Sequence, residues 1–359
     1  MMTPFSIALE AAERGLVADP FTRAAIRSLC RERLRTLEVA DAGPNGTDYF
    51  LQTLATGPIA VDPEKANEQH YELPSEFFAL ILGPRRKYSC CYWPPDAHNL
   101  QAAEEAALAI TCERAGIRNG QDVLDLGCGW GALSLWMAER YPNTRITAVS
   151  NSARQRRFID GELTQRGLAN VRTITADINE FDPTRGEGSP GGFDRIISVE
   201  MFEHLHNYPS ILERIASWLR PDGRLFVHIF CHRRHAYPFE SKGTADWMGR
   251  HFFTGGIMPS ADVLRRFDRH LEVTQDWTWD GTHYRRTAEA WLENFDAHER
   301  DLVPILSDAY GPAHARRWFR RWRLFFLAVA ELFGFEGGSE WFVLHSLLAP
   351  KRIEASEAQ

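Results

Sequence analysis

The sequence lacks several features that would assign a protein to a class at once. Its most apolar stretch, Leu324–Phe335, carries Glu331 and falls well short of the ~20 residues that a membrane-spanning helix needs. A basic excess is also absent, because 41 Lys and Arg residues stand against 48 Asp and Glu residues, a formal net charge of −7. Proteins that bind nucleic acid are expected to show a basic patch, so the composition disfavours a nucleic-acid partner.

Cysteine patterns typical of metal sites and disulfides are missing too. The six cysteines form no C-x-x-C pair, and the adjacent Cys90 and Cys91 are poorly spaced for a disulfide or a zinc site. We therefore expect no metal. The first residues show no basic region followed by an apolar core, as a secretory signal would. These features predict a cytoplasmic protein with reduced thiols and no stable membrane insertion.

What is present is the composition of a globular protein, with 44% hydrophobic and 25% charged residues. Residues 5–40 show two helical patterns, broken at Ala18-Asp19-Pro20. They predict an N-terminal helical arm that caps the fold or mediates a homodimer. Residues 42–70, rich in Gly and Pro, are predicted to be mostly turns.

From residue 100 onward, short β-rich runs alternate with amphipathic helices. Helices are predicted around 131–140, 152–167 and 209–219, with a long helical region from about 287 to 334. Strands are predicted at Val123–Leu126, Ile146–Val149, Val171–Thr175, Arg195–Val199, Leu225–Phe230, Leu271–Trp277 and Trp341–Leu348. This alternation predicts an α/β fold: a doubly wound, mostly parallel seven-stranded sheet with an N-terminal helical arm and a C-terminal helical insertion.

The strongest local motif is Val123-Leu-Asp-Leu-Gly127-Cys-Gly129-Trp-Gly131, which ends a strand and opens a helix. Its glycines allow a tight turn and a close approach of the backbone to a ligand. The spacing lacks the third glycine of the dinucleotide fingerprint. The second strand is also not followed by the acid that would hold an NAD ribose. Both observations disfavour a dehydrogenase.

The glycine motif instead resembles the first motif of class I S-adenosylmethionine-dependent methyltransferases. The resemblance implies that Asp125, Gly127 and Gly129 surround S-adenosylmethionine, which leaves as S-adenosylhomocysteine. Asp177, after the third predicted strand, matches the acid that accepts from the adenine amine. For the ribose, Asn151 and Gln155 are candidates because they lie four residues apart on one helical face. The alternatives are that the glycine motif is a tight turn without a ligand and that Asp177 is an ordinary loop acid.

Longer segments carry a more specific resemblance. The segments His70-Tyr71-Glu-Leu-Pro-Ser-Glu-Phe-Phe78, Lys87-Tyr-Ser-Cys90-Cys-Tyr-Trp and Glu200-Met-Phe-Glu203-His204 are similar to the cyclopropane-fatty-acid-synthase superfamily. Leu108-Ala-Ile-Thr-Cys-Glu-Arg, Trp247-Met-x-Arg-x-Phe-Phe-Thr-Gly-Gly and Ala328-Val-Ala-Glu-Leu-Phe-Gly resemble its coclaurine-type N-methyltransferases. The matches run from about residue 15 to 350. The resemblance further implies cofactor contacts from Cys90, Ile178 and Ile197.

Glu200, Glu203 and His204 are the predicted catalytic residues. They directly follow the fourth predicted strand, at the sheet edge where ligands bind in doubly wound folds. Spacings of three and four bring them toward one side if the segment is helical. A carboxylate attracts a cationic amine, and a histidine can relay its proton. The alternative is an exposed helix start, where acids also suit the helix dipole.

Aromatic residues supply the candidate substrate contacts. Trp322 and Phe325 belong to a helical stripe that either binds a flat substrate or packs in the core. The resemblance implies a further contact from Tyr71. It also places His228 and Tyr284, with Cys90 and Glu203, where cyclopropane synthases hold a bicarbonate, although a lone histidine on an apolar strand is also typical of a core.

Four segments are predicted: residues 1–98 as a helical arm and active-site lid, 99–232 as the cofactor-binding core, 233–350 as a substrate-binding insertion with the last strands, and 351–359 as a tail. The predicted function is N-methylation of a small aromatic, alkaloid-like amine of the tetrahydroisoquinoline type, with Glu203 and His204 removing the proton. The alternative is C-methyl or methylene transfer to an unsaturated lipid, as in cyclopropane synthases. A non-catalytic module would keep the glycine loop without the Glu and His cluster.

Overall fold

The computed structural model describes residues 4–44, 46–61, 73–184, 190–241, 243 and 246–351. Its described strands are β1 (Asp122–Leu126), β2 (Arg145–Ser150), β3 (Val171–Thr175), β4 (Phe193–Val199), β5 (Leu219–His232), β6 (Tyr237–Pro238), β7 (Ile257–Met258), β8 (Leu271–Trp279) and β9 (Trp341–Pro350). Seven of them form one sheet in the order β3-β2-β1-β4-β5-β9-β8. Strands β1 to β5 pair in parallel, whereas β9 pairs antiparallel with β5 and β8. The predicted doubly wound, mostly parallel seven-stranded sheet is confirmed.

Helices cover both faces of this sheet. The described α-helices are α1 (Pro4–Glu13), α2 (Asp19–Asp41), α3 (Thr47–Thr53), α4 (Ser75–Ile81), α5 (Leu100–Ala115), α6 (Ala132–Arg140), α7 (Ala153–Arg166), α8 (Tyr208–Trp218), α9 (Trp247–His251), α10 (Val263–Arg266), α11 (Gly281–Ala297), α12 (Glu299–Tyr310) and α13 (Ala315–Phe333). Successive residues of a strand face opposite sides, so Val123 packs in a cluster with α5 and α6 while Leu124 packs in a cluster with α8. Among the described residues, no helix combines the length and apolar character needed to cross a bilayer.

The N-terminal arm consists of α1 and α2, as predicted, and is tied to α13 by buried or half-buried ion pairs. Arg321 donates a 3.0 Å hydrogen bond to Glu13, and Arg323 donates one of 2.6 Å to Asp19. The prediction of mostly turns for residues 42–70 is wrong for α3, and its part from 62 to 70 lies outside the described residues. The Gly-Pro stretch ends α2, and α3 then begins at Thr47, whose N–H is accepted by Asp41 at 2.6 Å.

The C-terminal helical region starts earlier than predicted and is divided into three helices. Helices α11, α12 and α13 are inserted between β8 and β9, and α13 packs against both α11 and α12. Phe295, Phe319 and Phe326 form much of the contact, with Phe295 and Phe319 stacked at a ring-centre distance of 4.5 Å. The small β6–β7 sheet, which sequence periodicity did not indicate, lies between β5 and β8 in the chain.

Candidate active site

Three cavities meet beyond the carboxyl ends of β1 and β4, where the strand order reverses. Their empty volumes are about 860, 700 and 610 Å³. Glu200, the residue after β4, lines all three, and His204 lines the first and second. Ligands bind at such a switch point in doubly wound sheets. The structure thus brings two of the three predicted catalytic side chains to one junction.

The glycine loop after β1 borders the first and third cavities. Gly127 and Gly129 have positive φ angles of 86° and 54°. A Cβ atom at Gly127 would lie 2.9 Å from the Met201 sulfur, whereas one at Gly129 would meet no atom within 4 Å. The backbone at Gly129 therefore faces open space, in which a ligand can approach the main chain closely.

Asp125 supports this loop from within the sheet. Its side chain is buried, and Oδ2 accepts a 2.6 Å hydrogen bond from the Ser134 hydroxyl of α6. Burial raises the pKa of Asp125 to about 6. Asp125 lines the third cavity together with Lys87 and Tyr88. This polar cavity suits the charged end of an amino-acid-like ligand.

The far end of the first cavity is formed by β2, α7 and the loop after β3. Asn151, Gln155 and Ile178 line it, with Ala176 beside them. Gln155 Oε1 accepts a 2.5 Å hydrogen bond from the Ser150 hydroxyl, and its buried Nε2 has no hydrogen-bond partner among the described residues. A buried amide donor left unpaired is costly, so this atom is available to donate to an acceptor on a bound ligand.

Three other predicted residues lie away from these walls or outside the described chain. Asp177 is exposed between Ala176 and Ile178 and accepts a 2.9 Å hydrogen bond from the Asn179 N–H. Ile197 is fully buried within β4, in the cluster that contains Val123, and it is not brought to a cavity wall. Tyr71 lies outside the described residues.

Glu200 is held by three donors. Its Oε1 accepts from the Cys90 backbone N–H at 2.8 Å and from His228 Nε2 at 3.2 Å, and its Oε2 accepts from the Tyr284 hydroxyl at 2.7 Å. Its backbone is in the left-handed region with φ 47°, a conformation that costs an L-residue about 1–3 kcal/mol. Burial raises the pKa of Glu200, while Lys87, the Cys90 N–H and the Tyr284 hydroxyl oppose the shift.

Glu203 lies behind this junction and lines none of the three cavities. It is fully buried, and its Oε1 accepts a 2.7 Å hydrogen bond from the Phe230 backbone N–H. Its Oε2 has no hydrogen-bond partner among the described residues. Burial and the nearby Glu200 raise the pKa of Glu203 well above its usual value.

His204 stands between the first two cavities. Its ring stacks on Phe253, with ring centres 5.6 Å apart and an interplanar angle of 5°. Burial lowers the pKa of His204 to about 4, although Glu200 opposes this shift. The imidazole is therefore neutral at physiological pH and retains a lone pair.

The second cavity is an aromatic chamber with its polar groups at one end. Glu200, His204, Tyr88 and Tyr284 supply those groups. The remaining walls are apolar: Phe230, Phe239, Met248, Phe253, Met258, Trp291, Phe325, Val329, Leu332 and Phe333. Such a chamber suits a flat apolar molecule with one polar or charged atom directed at Glu200.

The aromatic stripe on α13 divides between this chamber and the core. Phe325 lines the chamber, whereas Trp322 is fully buried and packs against Phe77 and Phe252 at ring-centre distances of 5.0 Å. Sequence reasoning did not select Phe253 or Trp291 as site residues. Phe253 lies in the Trp247–Gly256 segment that carries the family resemblance, which was the available signal. Among the described residues, no group of three His, Cys, Asp or Glu side chains is arranged to hold a metal.

The chain is similar to a known family of enzymes over most of its length. Residues 61–337 match the mycolic acid cyclopropane synthetase family. The chain belongs to this family of S-adenosylmethionine-dependent methyltransferases. It is 38% identical to (S)-coclaurine N-methyltransferase of Thalictrum flavum subsp. glaucum over 352 residues, which cover 96% of this chain and 95% of the relative. Cyclopropane-fatty-acyl-phospholipid synthase of Escherichia coli K12 is 30% identical over 78% of this chain and 67% of its own length.

Solved structures agree with this placement. A crystal structure of coclaurine N-methyltransferase bound to N-methylheliamine and S-adenosylhomocysteine superimposes with a TM-score of 0.89 at 35% identity, covering 97% of this chain and all of that chain. The mycolic acid cyclopropane synthase CmaA1, in complex with S-adenosylhomocysteine, shares the fold with a TM-score of 0.65 at 23% identity. S-adenosylmethionine is therefore the cofactor of this methyltransferase. The open backbone at Gly129 and the unpaired Gln155 amide fit a ligand of this kind.

Proposed function

We propose that the protein transfers the methyl group of S-adenosylmethionine to the nitrogen of a small aromatic amine of the tetrahydroisoquinoline type. The single observation that carries this proposal is the position of Glu200, a buried carboxylate shared by the cofactor cavities and the aromatic chamber. An ammonium group entering the chamber meets one charge of opposite sign at its polar end. The relatives named for coclaurine methylation support the same conclusion.

The cofactor would be held by residues that line the first and third cavities. Gly127 and Gly129 would approach it through the backbone, Asp125 would support its amino-acid end, and Asn151 and Gln155 would bind its ribose. When bound, it supplies an electrophilic methyl group on a sulfonium. Since displacement at that methyl needs little more than alignment and exclusion of water, the enclosed chamber contributes by orienting the amine.

A protonated amine must lose its proton before its lone pair can attack. Glu200 and His204 both face the chamber, and neither carries a positive charge at neutral pH. Because burial raises the pKa of Glu200, its carboxylate is a stronger base than an exposed one. We assign proton removal to Glu200 with His204. Glu203 lines none of the three cavities and holds the Phe230 backbone in place, a role that differs from the base predicted from its sequence spacing.

The arrangement around Glu200 also favours amine methylation over cyclopropane formation. Cyclopropane formation passes through a carbocation that must lose a proton, and the family resemblance implies that bicarbonate takes it, held by the equivalents of Cys90, Glu203, His228 and Tyr284. In this chain the Cys90 N–H, His228 and Tyr284 all donate to the Glu200 carboxylate. These donors are therefore already satisfied by an anion that belongs to the protein.

The decisive experiment supplies labelled S-adenosylmethionine with a panel of tetrahydroisoquinolines and, separately, with phospholipid vesicles containing unsaturated acyl chains. We expect N-methylated amine and no ring product by mass spectrometry. Glu200→Gln should abolish most amine methylation, whereas the same change at exposed Glu213 on α8 should leave it intact. A cyclopropane product from vesicles, without amine turnover, would establish the lipid reaction instead.

We also propose a cytoplasmic location and a homodimer formed through the N-terminal arm. The six cysteines are all buried as free thiols, which supports a reducing compartment. Exposed apolar side chains on and next to the arm, Leu16, Phe21 and Val39, support self-association. Sedimentation at several protein concentrations tests the dimer, and Phe21→Ser should weaken it without changing the cofactor affinity.

A further inference from the structure

A file of four side chains leads from α5 through the sheet to the active-site carboxylate. Arg114 Nη1 lies 2.9 Å from His345 Nδ1. His345 Nε2 lies 2.9 Å from His228 Nδ1, and His228 Nε2 lies 3.2 Å from Glu200 Oε1. The two histidines face each other because β5 and β9 pair antiparallel with His228 directly opposite His345. Neither Arg114 nor His345 lines any of the three cavities.

The chemistry of these groups fixes the direction of every hydrogen bond in the file. A guanidinium has only donors, so His345 Nδ1 must accept from Arg114. The proton of a neutral His345 is then on Nε2, which donates to His228 Nδ1. His228 in turn carries its proton on Nε2 and donates to Glu200. All three bonds therefore point their hydrogens toward the carboxylate.

Burial and charge keep both imidazoles neutral. His228 and His345 are fully buried, and desolvation together with Lys87 and Arg114 lowers the pKa of each well below the usual value. Trp279 packs on both rings, with centres 5.4 and 4.2 Å away, and excludes water from this side. The charged and titratable groups that face the file are Lys87, Cys90, Tyr92, Glu113, Glu203, His204 and Tyr284.

We propose that Arg114 and His345 are positioning residues that hold His228 in its neutral, Nε2-protonated form, so that Glu200 keeps its full negative charge toward the acceptor. The proposal rests on the role proposed above for Glu200. The Nε2–H of His345 occupies the lone pair of His228 Nδ1, which is the only site where His228 could take a second proton. A doubly protonated His228 would pair with Glu200 and neutralise the charge that attracts the amine.

His345→Phe tests this, because phenylalanine keeps an aromatic ring and removes both nitrogens. We expect His228 Nδ1 to become free to bind a proton, so that His228 titrates at a higher pH. The acid limb of the kcat/KM profile should move to higher pH, and kcat/KM near pH 7 should fall by roughly 10- to 100-fold, at or below the lower end of the range for direct acid–base groups. His345→Gln, whose amide can accept from Arg114 and donate to His228, should restore most of the wild-type profile.

The protonation state of His228 is read directly from the nitrogen NMR signals of histidine-labelled protein, assigned by their loss in His228→Gln. This measurement needs no methyl acceptor, so it decides the inference even if neither amines nor lipids prove to be substrates. If His345→Phe does not fold, Arg114→Leu at the half-buried end of the file should move the His228 titration in the same direction, and Arg114→Lys should reverse the change.

Trp277→Leu is the matched control, because Trp277 stacks on the Arg114 guanidinium at 5.2 Å but belongs to no hydrogen bond of the file. It should leave the His228 titration and the pH profile unchanged. The inference is overturned if His228 is doubly protonated in the wild-type protein near pH 7, or if His345→Phe leaves both the titration and the profile as they are.

Discussion

The Tyr284 hydroxyl donates a 2.7 Å hydrogen bond to Oε2 of Glu200, although the two residues are 84 positions apart in the sequence. Tyr284 stands on α11, whose other residues build the aromatic chamber, so this bond ties the chamber to the edge of the sheet. It also stabilises the ionised form of the carboxylate, since a hydroxyl donates to an anion more strongly than to a neutral acid.

Tyr284→Phe should therefore slow catalysis but leave the binding of S-adenosylmethionine intact. Loss of one donor makes the Glu200 carboxylate less stable, so we expect kcat/KM to fall by about 10-fold and the acid limb of its pH profile to move upward. The exposed Tyr49 supplies the matched control Tyr49→Phe. An unchanged pH profile of kcat/KM in Tyr284→Phe would show that the hydroxyl does not influence the charge of Glu200.

The two glutamates should respond differently to the same substitution. Glu200→Gln removes the charge that faces the chamber, and we expect kcat to fall by roughly 100-fold or more, within the range of acid–base contributions. Glu203 lines none of the three cavities, so Glu203→Gln should lower kcat by less than 10-fold. Steady-state kinetics with the best amine of the panel give kcat for both variants. A larger loss of kcat in Glu203→Gln than in Glu200→Gln would make Glu203 the base.

Gly129→Val should abolish binding of S-adenosylmethionine, because its side chain would project into the open space beside the loop. The control is Gly120→Val, since Gly120 also has a positive φ, 93°, and open space around it but lines none of the three cavities. Both glycines have a positive φ, so both variants carry backbone strain and both should melt at a lower temperature than the wild type. Calorimetry should find cofactor affinity lost only in Gly129→Val.

Bicarbonate should have no effect on the reaction. Because the Cys90 N–H, His228 and Tyr284 already donate to Glu200, they offer no free donor to a second anion. Amine methylation measured in degassed, bicarbonate-free buffer should equal that at millimolar bicarbonate. Strong stimulation of methylation by bicarbonate would mean that the anion binds in the site and displaces the Glu200 carboxylate from these donors.

Glu104 on α5 should make stability depend on pH. Its buried carboxylate accepts from the backbone N–H groups of Arg85 and Lys87 at 2.9 and 3.1 Å, yet desolvation still raises its pKa to about 7. Since this folded-state value exceeds the usual 4.5, its stabilising contribution is complete below pH 4.5 and is lost as the pH rises through 7. The free energy of unfolding of the wild type relative to Glu104→Gln should therefore fall over this range, by no more than about 3 kcal/mol. Denaturant titrations at pH 5 and pH 8 measure the difference.

The sheet could be predicted from the sequence because its strands are short apolar runs bounded by turns and polar residues. The run Val123–Leu126, for example, lies within β1, whose five residues are all buried. The helix α3 could not be found in this way, since its seven residues are flanked by Gly and Pro and bury little more than Thr47 and Leu51. A helix this short depends on tertiary contacts and not on its own periodicity.

The site was predictable in its residue types but not in its arrangement. Helical spacing placed Glu200, Glu203 and His204 on one side, whereas Glu200 adopts a left-handed conformation and only Phe202–His204 form a single 3₁₀ turn. The two glutamate side chains consequently lie in different places, since Glu200 lines all three cavities and Glu203 lines none of them. The pairing of His228 with His345 depends on the register of β5 with β9 across 117 residues, and local sequence carries no information about it.

Because α11, α12 and α13 are inserted between β8 and β9, the chamber for the methyl acceptor and the cavity for the methyl donor are built from different segments. The walls that would contact the methyl acceptor come mainly from this insertion and from residues 230–258, while the glycine loop and the β2–α7 segment shape the cofactor cavity. Exchanges at Phe325, Val329 or Leu332 can therefore alter which acceptor fits while the methyl-donor pocket is untouched. The acceptor specificity and the methyl-donor site are thus set by different parts of the chain, so the first can change without replacing residues of the second.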